Sequence, residues 1–127
     1  MIVAGIGCRR GVPAEELEKV VHMALDRFEL QAARLDAIAT EAGKAAEPAF
    51  AELSRRLSTR LEACTIEELD RVANQVPTPS VRALEAKGVP SIAEASALVV
   101  AGRNARLLGT RIATAQATCA IAVGDGR

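Results

Sequence analysis

The chain has 127 residues and a formal net charge of zero, and half of it is hydrophobic although only 2% is aromatic, with neither Trp nor Tyr. That is the length of one domain, enough to bury a core of Ala, Val, Leu and Ile without disulfides or metals. The charge balance argues against general nucleic-acid binding, which needs surplus Lys and Arg, and the scarcity of aromatics removes the stacking platform of single-strand binders.

Residues 2–6 are apolar and bounded by glycine, which predicts a short buried strand. The stretch Gly5-Ile6-Gly7-Cys8-Arg9-Arg10-Gly11 then reads as a glycine-rich turn. From Pro13 to about Leu30, Leu17, Val20, Val21, Ala24, Leu25 and Phe28 recur at helical spacing and define one face of a helix. Pro13 suits its first turn, where a missing N–H costs nothing, and Glu15 and Glu16 favour its positive end.

Residues 33–39 alternate well enough for a second strand, and 40–44 read as a loop. A second helix is predicted from about Glu47 to Leu57, with Pro48 in its first turn and Ala46, Ala49, Phe50, Leu53 and Leu57 as its stripe. A brief strand follows near Arg60–Ala63. Thr65-Ile66-Glu67-Glu68 is a capping-box pattern opening a short helix that ends near Asn74. Gln75 to Ser80 is a loop, and Ser80 could cap a helix running to Lys87 and stopped by Gly88. Ser91-Ile92-Ala93-Glu94 is a second capping-box pattern, whose helix runs to about Ala101 and ends at Gly102. Strand-like segments at Arg106–Leu108 and Ala117–Val123 complete the chain, with 124–127 expected to fray.

Alternating strands and helices predict an α/β fold, a single-domain three-layer α/β/α sandwich with a mostly parallel, mixed sheet of about five strands. Ligands in such folds sit beyond the carboxyl ends of the strands, which places the Gly5–Gly11 turn at the site. That turn reads either as a tight strand–helix connection with two solvated arginines or as an anion site of backbone N–H groups reinforced by Arg9 and Arg10. A dinucleotide fingerprint would also need an acidic residue ending the second strand, and Asp36 falls inside the strand pattern instead. Cys8 is either a small packing residue or a thiol whose pKa a helix N-terminus and two arginines would lower.

Lys44 and Glu47 flank the next loop. They read as a solvated pair, or as a Lys for a substrate carboxylate and a Glu as general base. Ser91 and Glu94 are first of all a helix cap, and Thr114 and Thr118 flank the start of the last strand, where β-branched residues are expected anyway. His22, the single histidine, lies on the polar helix face with no Cys or Asp at triad or metal-ligand spacing, so neither a resident metal nor a cofactor is predicted.

The three cysteines (Cys8, Cys64, Cys119) are widely spaced and lack a CxxC pair, which favours reduced thiols and a cytoplasmic location. No signal-peptide pattern opens the chain, and the longest apolar run, Ala95 to Ala101, is too short to span a bilayer.

Taken in order, "GIGCRRGVPAEEL" at 5–17, "ATEAGKAAEPAF" at 39–50, "GVPSIAEASAL" at 88–98 and "TCAIA" at 118–122 resemble the CobE family of cobalamin biosynthesis. That family is similar to the C-terminal domain of CbiG, the cobalt-precorrin-5A hydrolase of the anaerobic pathway. The resemblance runs from Val3 to about Ala122. It implies a three-layer fold with a mixed sheet and a site lined by Gly5, Gly7, Cys8, Arg9 and Arg10 from the first motif and Lys44 and Glu47 from the second. Ser91 and Glu94 match the third motif and Thr118 the last. The family usually shows a Lys before the final Thr-rich stretch, where Arg111 stands closest here.

The resemblance implies a polycarboxylate precorrin or corrinoid as ligand, a flat apolar macrocycle fringed with acetate and propionate groups. A rim carrying Arg9, Arg10 and Lys44 suits several carboxylates at once. The primary expectation is a binding, carrier or accessory protein of the pathway, with other pathway enzymes as partners. The alternative is a hydrolase opening the ring-contraction lactone, with Glu47 or Glu94 activating water and Arg9 and Lys44 holding the substrate. CbiG-type proteins carry further N-terminal domains outside this sequence, which favours binding over hydrolysis. A nucleotide-binding module using the glycine turn is the second alternative.

Overall fold

A central strand, β1 (Ile2–Cys8), carries hydrogen-bonded neighbours on both sides, and its Val3, Ala4 and Ile6 are wholly buried. The computed structural model describes residues 1–77 and 91–127. The helix predicted over Ser80–Lys87 and the end of the loop before it lie outside the described residues.

β2 (Ala37–Glu41) pairs in parallel with β1, and β3 (Leu61–Cys64) in parallel with β2. On the other side β6 (Ala117–Val123) runs antiparallel to β1 along its whole length, from Ile2↔Val123 to Cys8↔Ala117. Two dipeptide strands, β4 (Arg106–Leu107) and β5 (Ile112–Ala113), share the outer edge of β6. The six strands thus fill five positions in the order β3-β2-β1-β6-β4, with β5 beside β4's end of the row. The sheet is mixed, and its parallel part lies at the β1–β2–β3 end.

Alternation along β1 sends Ala4 and Ile6 to one face and Val3 and Gly5 to the other. The first face packs against α1 (Ala14–Arg27) and α3 (Pro48–Leu57) through Leu17, Val20, Val21, Phe50 and Leu53. The second packs against α4 (Ile66–Arg71) and α5 (Ile92–Ala101) through Leu69, Ala97, Leu98 and Val100. These are the three layers expected from the alternating pattern. Among the described residues no helix is long and apolar enough to cross a membrane.

Local signals locate most helix starts. Thr65 Oγ1 accepts the Glu68 N–H and Glu68 returns a carboxylate to the Thr65 N–H, completing the capping box. Ser91 caps α5 by accepting the Glu94 N–H at 3.4 Å. The other half of that box does not form, because the Glu94 side chain turns inward and accepts the Arg111 N–H instead. On the outer surface Arg56 of α3 bridges to Glu15 and Glu18 of α1, tying the two helices together.

Several expected boundaries shift. The first strand runs on to Cys8, so Gly5 and Gly7 belong to β1 and not to a turn. The second strand begins at Ala37, four residues later than predicted, because Ala32–Arg34 forms a 3-10 turn. Thr40 and Glu41 finish that strand, and Ala42–Ala45 is a short helix, α2, in place of a loop. The Glu41 carboxylate caps it by accepting the Lys44 N–H at 3.2 Å. Asp36 sits before the amino end of β2, where its carboxylate accepts the Ile2 N–H at 2.7 Å, far along the strand from the dinucleotide position. The 124–127 tail, expected to fray, is tied down. Gly126 donates its N–H to the Ala101 carbonyl, and the Arg127 guanidinium pairs with Glu62 and Glu68.

Candidate functional site

The parallel strands all end on one rim, and the last strand starts there. β1 ends at Cys8, β2 at Glu41 and β3 at Cys64, while Thr118 of β6 lies opposite Gly7. α5 begins over the same rim, since a Cβ at Gly7 would stand 3.4 Å from Ile92 Cβ and 3.5 Å from the Ala93 nitrogen. Gly7, Cys8, Arg9, Arg10 and Thr118 lie at the carboxyl end of β1, Glu47 reaches it through Gly11 with Lys44 beside it, Ser91 and Glu94 belong to the start of α5, and Gly5 sits at the middle of β1.

Arg9 and Arg10 are exposed and make no ion pair among the described residues. Gly11 follows with φ of 80°, a left-handed conformation that favours glycine. Its N–H donates to Glu47 Oε1 at 3.0 Å. Glu47 is the residue before α3, its N–H donates to the Lys44 carbonyl, and its Oε2 lies 3.7 Å from Lys44 Nζ. The turn after β1 and the start of α3 are thus joined by one carboxylate. The starts of α1 and α3 frame an open groove of about 390 Å³, lined by Arg10, Val12 and Pro13 on one side and Glu47, Pro48 and Ala49 on the other. That size is at the small end of ligand clefts.

The phosphate-loop reading of Gly5–Gly11 does not survive this geometry. Gly5 and Gly7 lie in β1, and a Cβ at Gly5 would stand 2.0 Å from the Ala93 carbonyl oxygen of α5. Gly5 is there to let a helix rest on the strand. The Gly11 N–H, which would have met an anion, already meets Glu47.

Cys8 is half-buried, and its thiol is pushed up to about 11 by burial, with Lys44 pulling it down and Glu47 up to lesser extents. This corrects the expectation of a lowered pKa: desolvation outweighs the nearby cation. Burial also raises the Cys64 thiol to about 12 and drives the fully buried Cys119 thiol upward. A raised folded-state pKa means that the unfolded chain ionises first as the medium turns alkaline. The three thiols therefore withdraw stability as pH climbs above the ordinary value of 9.0, and none of this loss occurs below it. Denaturant midpoints measured between pH 8 and 11 should fall, and replacing Cys8 with Ala should flatten part of the decline.

The other expected site residues are less open. Ser91 and Glu94 are completely buried beneath the rim. Thr118 is half-buried and donates its hydroxyl to the Gly7 carbonyl at 3.3 Å. His22 is exposed beside Glu18 at 3.7 Å, away from the rim. Among the described residues no three His, Cys, Asp or Glu side chains gather as metal ligands.

Two rim residues were not picked out from the sequence. Thr40 donates its buried hydroxyl to the Ile6 carbonyl at 2.7 Å, locking β2 to β1 just before both strands end. Glu41 is buried beside it and caps α2. A Thr-Glu pair before Ala-Gly-Lys is a cap signal, but Glu is a poor N-cap by preference and the signal is weak.

Residues 2–122 match the family described as Cobalamin synthesis G C-terminus. The chain belongs to this family. A curated relative, Protein CobE from a Sinorhizobium species, is 31% identical over 121 residues, 95% of this chain and 79% of the relative. The crystal structure of CobE, a protein from the cobalamin (vitamin B12) biosynthetic pathway, matches with a TM-score of 0.94 at 34% identity, over 100% of this chain and 92% of that one. The cobalamin biosynthesis protein chiG from Agrobacterium tumefaciens matches at 0.78 with 38% identity, over 98% and 99% of the two chains. A cobalamin biosynthesis protein G homolog from Sulfolobus solfataricus matches at 0.75 with 28% identity, and there this chain spans 37% of the larger protein. The chain is a cobalamin biosynthesis protein of the CobE and CbiG C-terminal type, and its mixed three-layer fold is that of the CobE structure.

Proposed function

We propose that this CobE-type protein binds a polycarboxylate precorrin or corrinoid intermediate at the rim beyond β1, and that it holds or hands on the intermediate. The observation that carries this reading is the pair Arg9–Arg10, exposed and without an ion pair among the described residues, beside an apolar-walled groove. Guanidinium groups match carboxylates in bidentate geometry, and Pro13, Pro48 and Ala49 offer an apolar wall to a ring edge. Lys44 stands behind them, four-fifths covered by the protein.

The lactone-hydrolase reading asks Glu47 or Glu94 to activate water. Glu47 is held by the Gly11 N–H and Lys44, and Glu94 lies under the rim with the Arg111 N–H on its carboxylate. Both arrangements suit holding a site together better than taking a proton from water. The nucleotide reading lacks a phosphate loop, as described above.

A visible-absorbance titration with hydrogenobyrinic acid at two salt concentrations tests the proposal. The expected result is a saturable spectral shift that weakens as salt rises, because rim charges are screened within about 10 Å at 0.1 M salt. No shift at either salt would overturn it. Release of acetaldehyde from a lactone-bearing precorrin would replace it with the hydrolase reading.

A further inference from the structure

The rim read as a carboxylate-binding surface already contains a carboxylate. Glu47 Oε1 takes the Gly11 N–H at 3.0 Å and Oε2 faces Lys44 Nζ at 3.7 Å. The backbone fixes this arrangement, since the Glu47 N–H donates to the Lys44 carbonyl at 2.9 Å and the Lys44 N–H donates to the Glu41 carboxylate at 3.2 Å. Lys44 and Glu47 are only 17% and 20% exposed, so neither charge is fully hydrated. A cation this covered, without a counter-ion, would bear a desolvation penalty. Arg9 and Arg10, by contrast, stand in solvent.

We propose that Glu47 is a placeholder carboxylate, which neutralises Lys44 in the empty site and yields it to a carboxylate of the incoming ligand while keeping its bond to the Gly11 N–H. The inference rests on the polycarboxylate-binding reading above. It changes the part played by Glu47 from general base to positioning residue. Exchange of one carboxylate for another at Lys44 leaves little net gain in affinity, so Lys44 selects for a free carboxylate at that point of the ligand, because an uncharged group cannot take the ammonium from Glu47.

The test is a double-mutant cycle on the full chain, titrating hydrogenobyrinic acid into wild type, Glu47→Gln, Lys44→Met and the double variant. Glutamine keeps a carbonyl oxygen for the Gly11 N–H and removes the charge opposite Lys44. Glu47→Gln should bind about fivefold more tightly, the equivalent of one partly exposed ion pair. The gain should vanish in the Lys44→Met background. Unchanged or weaker binding by Glu47→Gln overturns the proposal, as does an equal gain in both backgrounds, which would mark a general charge effect. Wild type that binds beside an unimproved Glu47→Gln overturns this proposal alone. Failure of both proteins to bind overturns it together with the binding reading. Should Glu47→Gln not fold, the wild-type Lys44 Nζ resonance serves, and one that stays still on ligand addition refutes the exchange.

Discussion

Gly5→Ala should lower the melting temperature by roughly 10 °C, a loss of about 3 kcal/mol or more for a domain of this size. An added Cβ would stand 2.0 Å from the Ala93 carbonyl oxygen and 2.6 Å from the Ala97 nitrogen. Both are backbone atoms of α5, so no side-chain rotation relieves the clash and the helix must lift from the strand. Lifting it opens the packing of Ala97, Leu98 and Val100 against Val3 and Ala122. Gly7→Ala is the matched comparison. Its nearest neighbour is the Thr118 hydroxyl at 2.9 Å, the end of a side chain that can turn away, so a loss of about 1 kcal/mol is expected there. Thermal melts of the two variants decide the matter. Equal melting temperatures would mean that α5 does not rest on β1 at Gly5.

Removing both rim guanidiniums should leave the fold intact and disable the site. The Arg9→Ala, Arg10→Ala double variant should bind hydrogenobyrinic acid roughly 30-fold more weakly, from two charge-assisted contacts attenuated by exposure. Its melting temperature should match wild type, because both side chains are exposed and neither is in an ion pair among the described residues. Its binding should also lose most of its salt dependence, as the screened charges are gone. Lys44→Ala should weaken binding less, since the ligand there only takes the place of Glu47. Wild-type affinity in the arginine variant would move the site away from this rim.

Much of the architecture was legible in the chain because it depends on near neighbours. The Leu17, Val20, Val21, Ala24, Leu25 series placed the buried face of α1. Pro48 marked the start of α3, and the Thr65–Glu68 box and the Ser91 cap marked α4 and α5. The apolar run Ala117–Val123 is β6 to the residue. The errors fell where a distant partner overrode a local signal. Gly5 and Gly7 look like a turn in isolation, yet the register with Ala120 and Thr118 keeps both in an extended strand. Ile112–Ala113 is too short to be recognised alone and is a strand because it pairs with Thr118 and Cys119.

The candidate site divides in the same way. The motifs named Arg9, Arg10, Lys44 and Glu47 from the sequence, and the fold brings them to one rim. What they do there depends on contacts across the chain. Glu47 meets the Gly11 N–H across 36 positions. Glu94, half of an expected capping box, instead reaches the backbone of Arg111.

The helix faces, the Thr65 and Ser91 caps and the family could be read from the chain alone, since these rest on periodicity and on motifs a few residues long. The fold was needed to show that Gly5 is a packing contact, that the Cys8 thiol is pushed upward by burial, and that the Lys44–Glu47 pair is largely covered by the protein. The reason is physical: strand pairing, desolvation and charge pairing are set by groups brought close through folding, and their strength depends on distances that sequence separation does not encode.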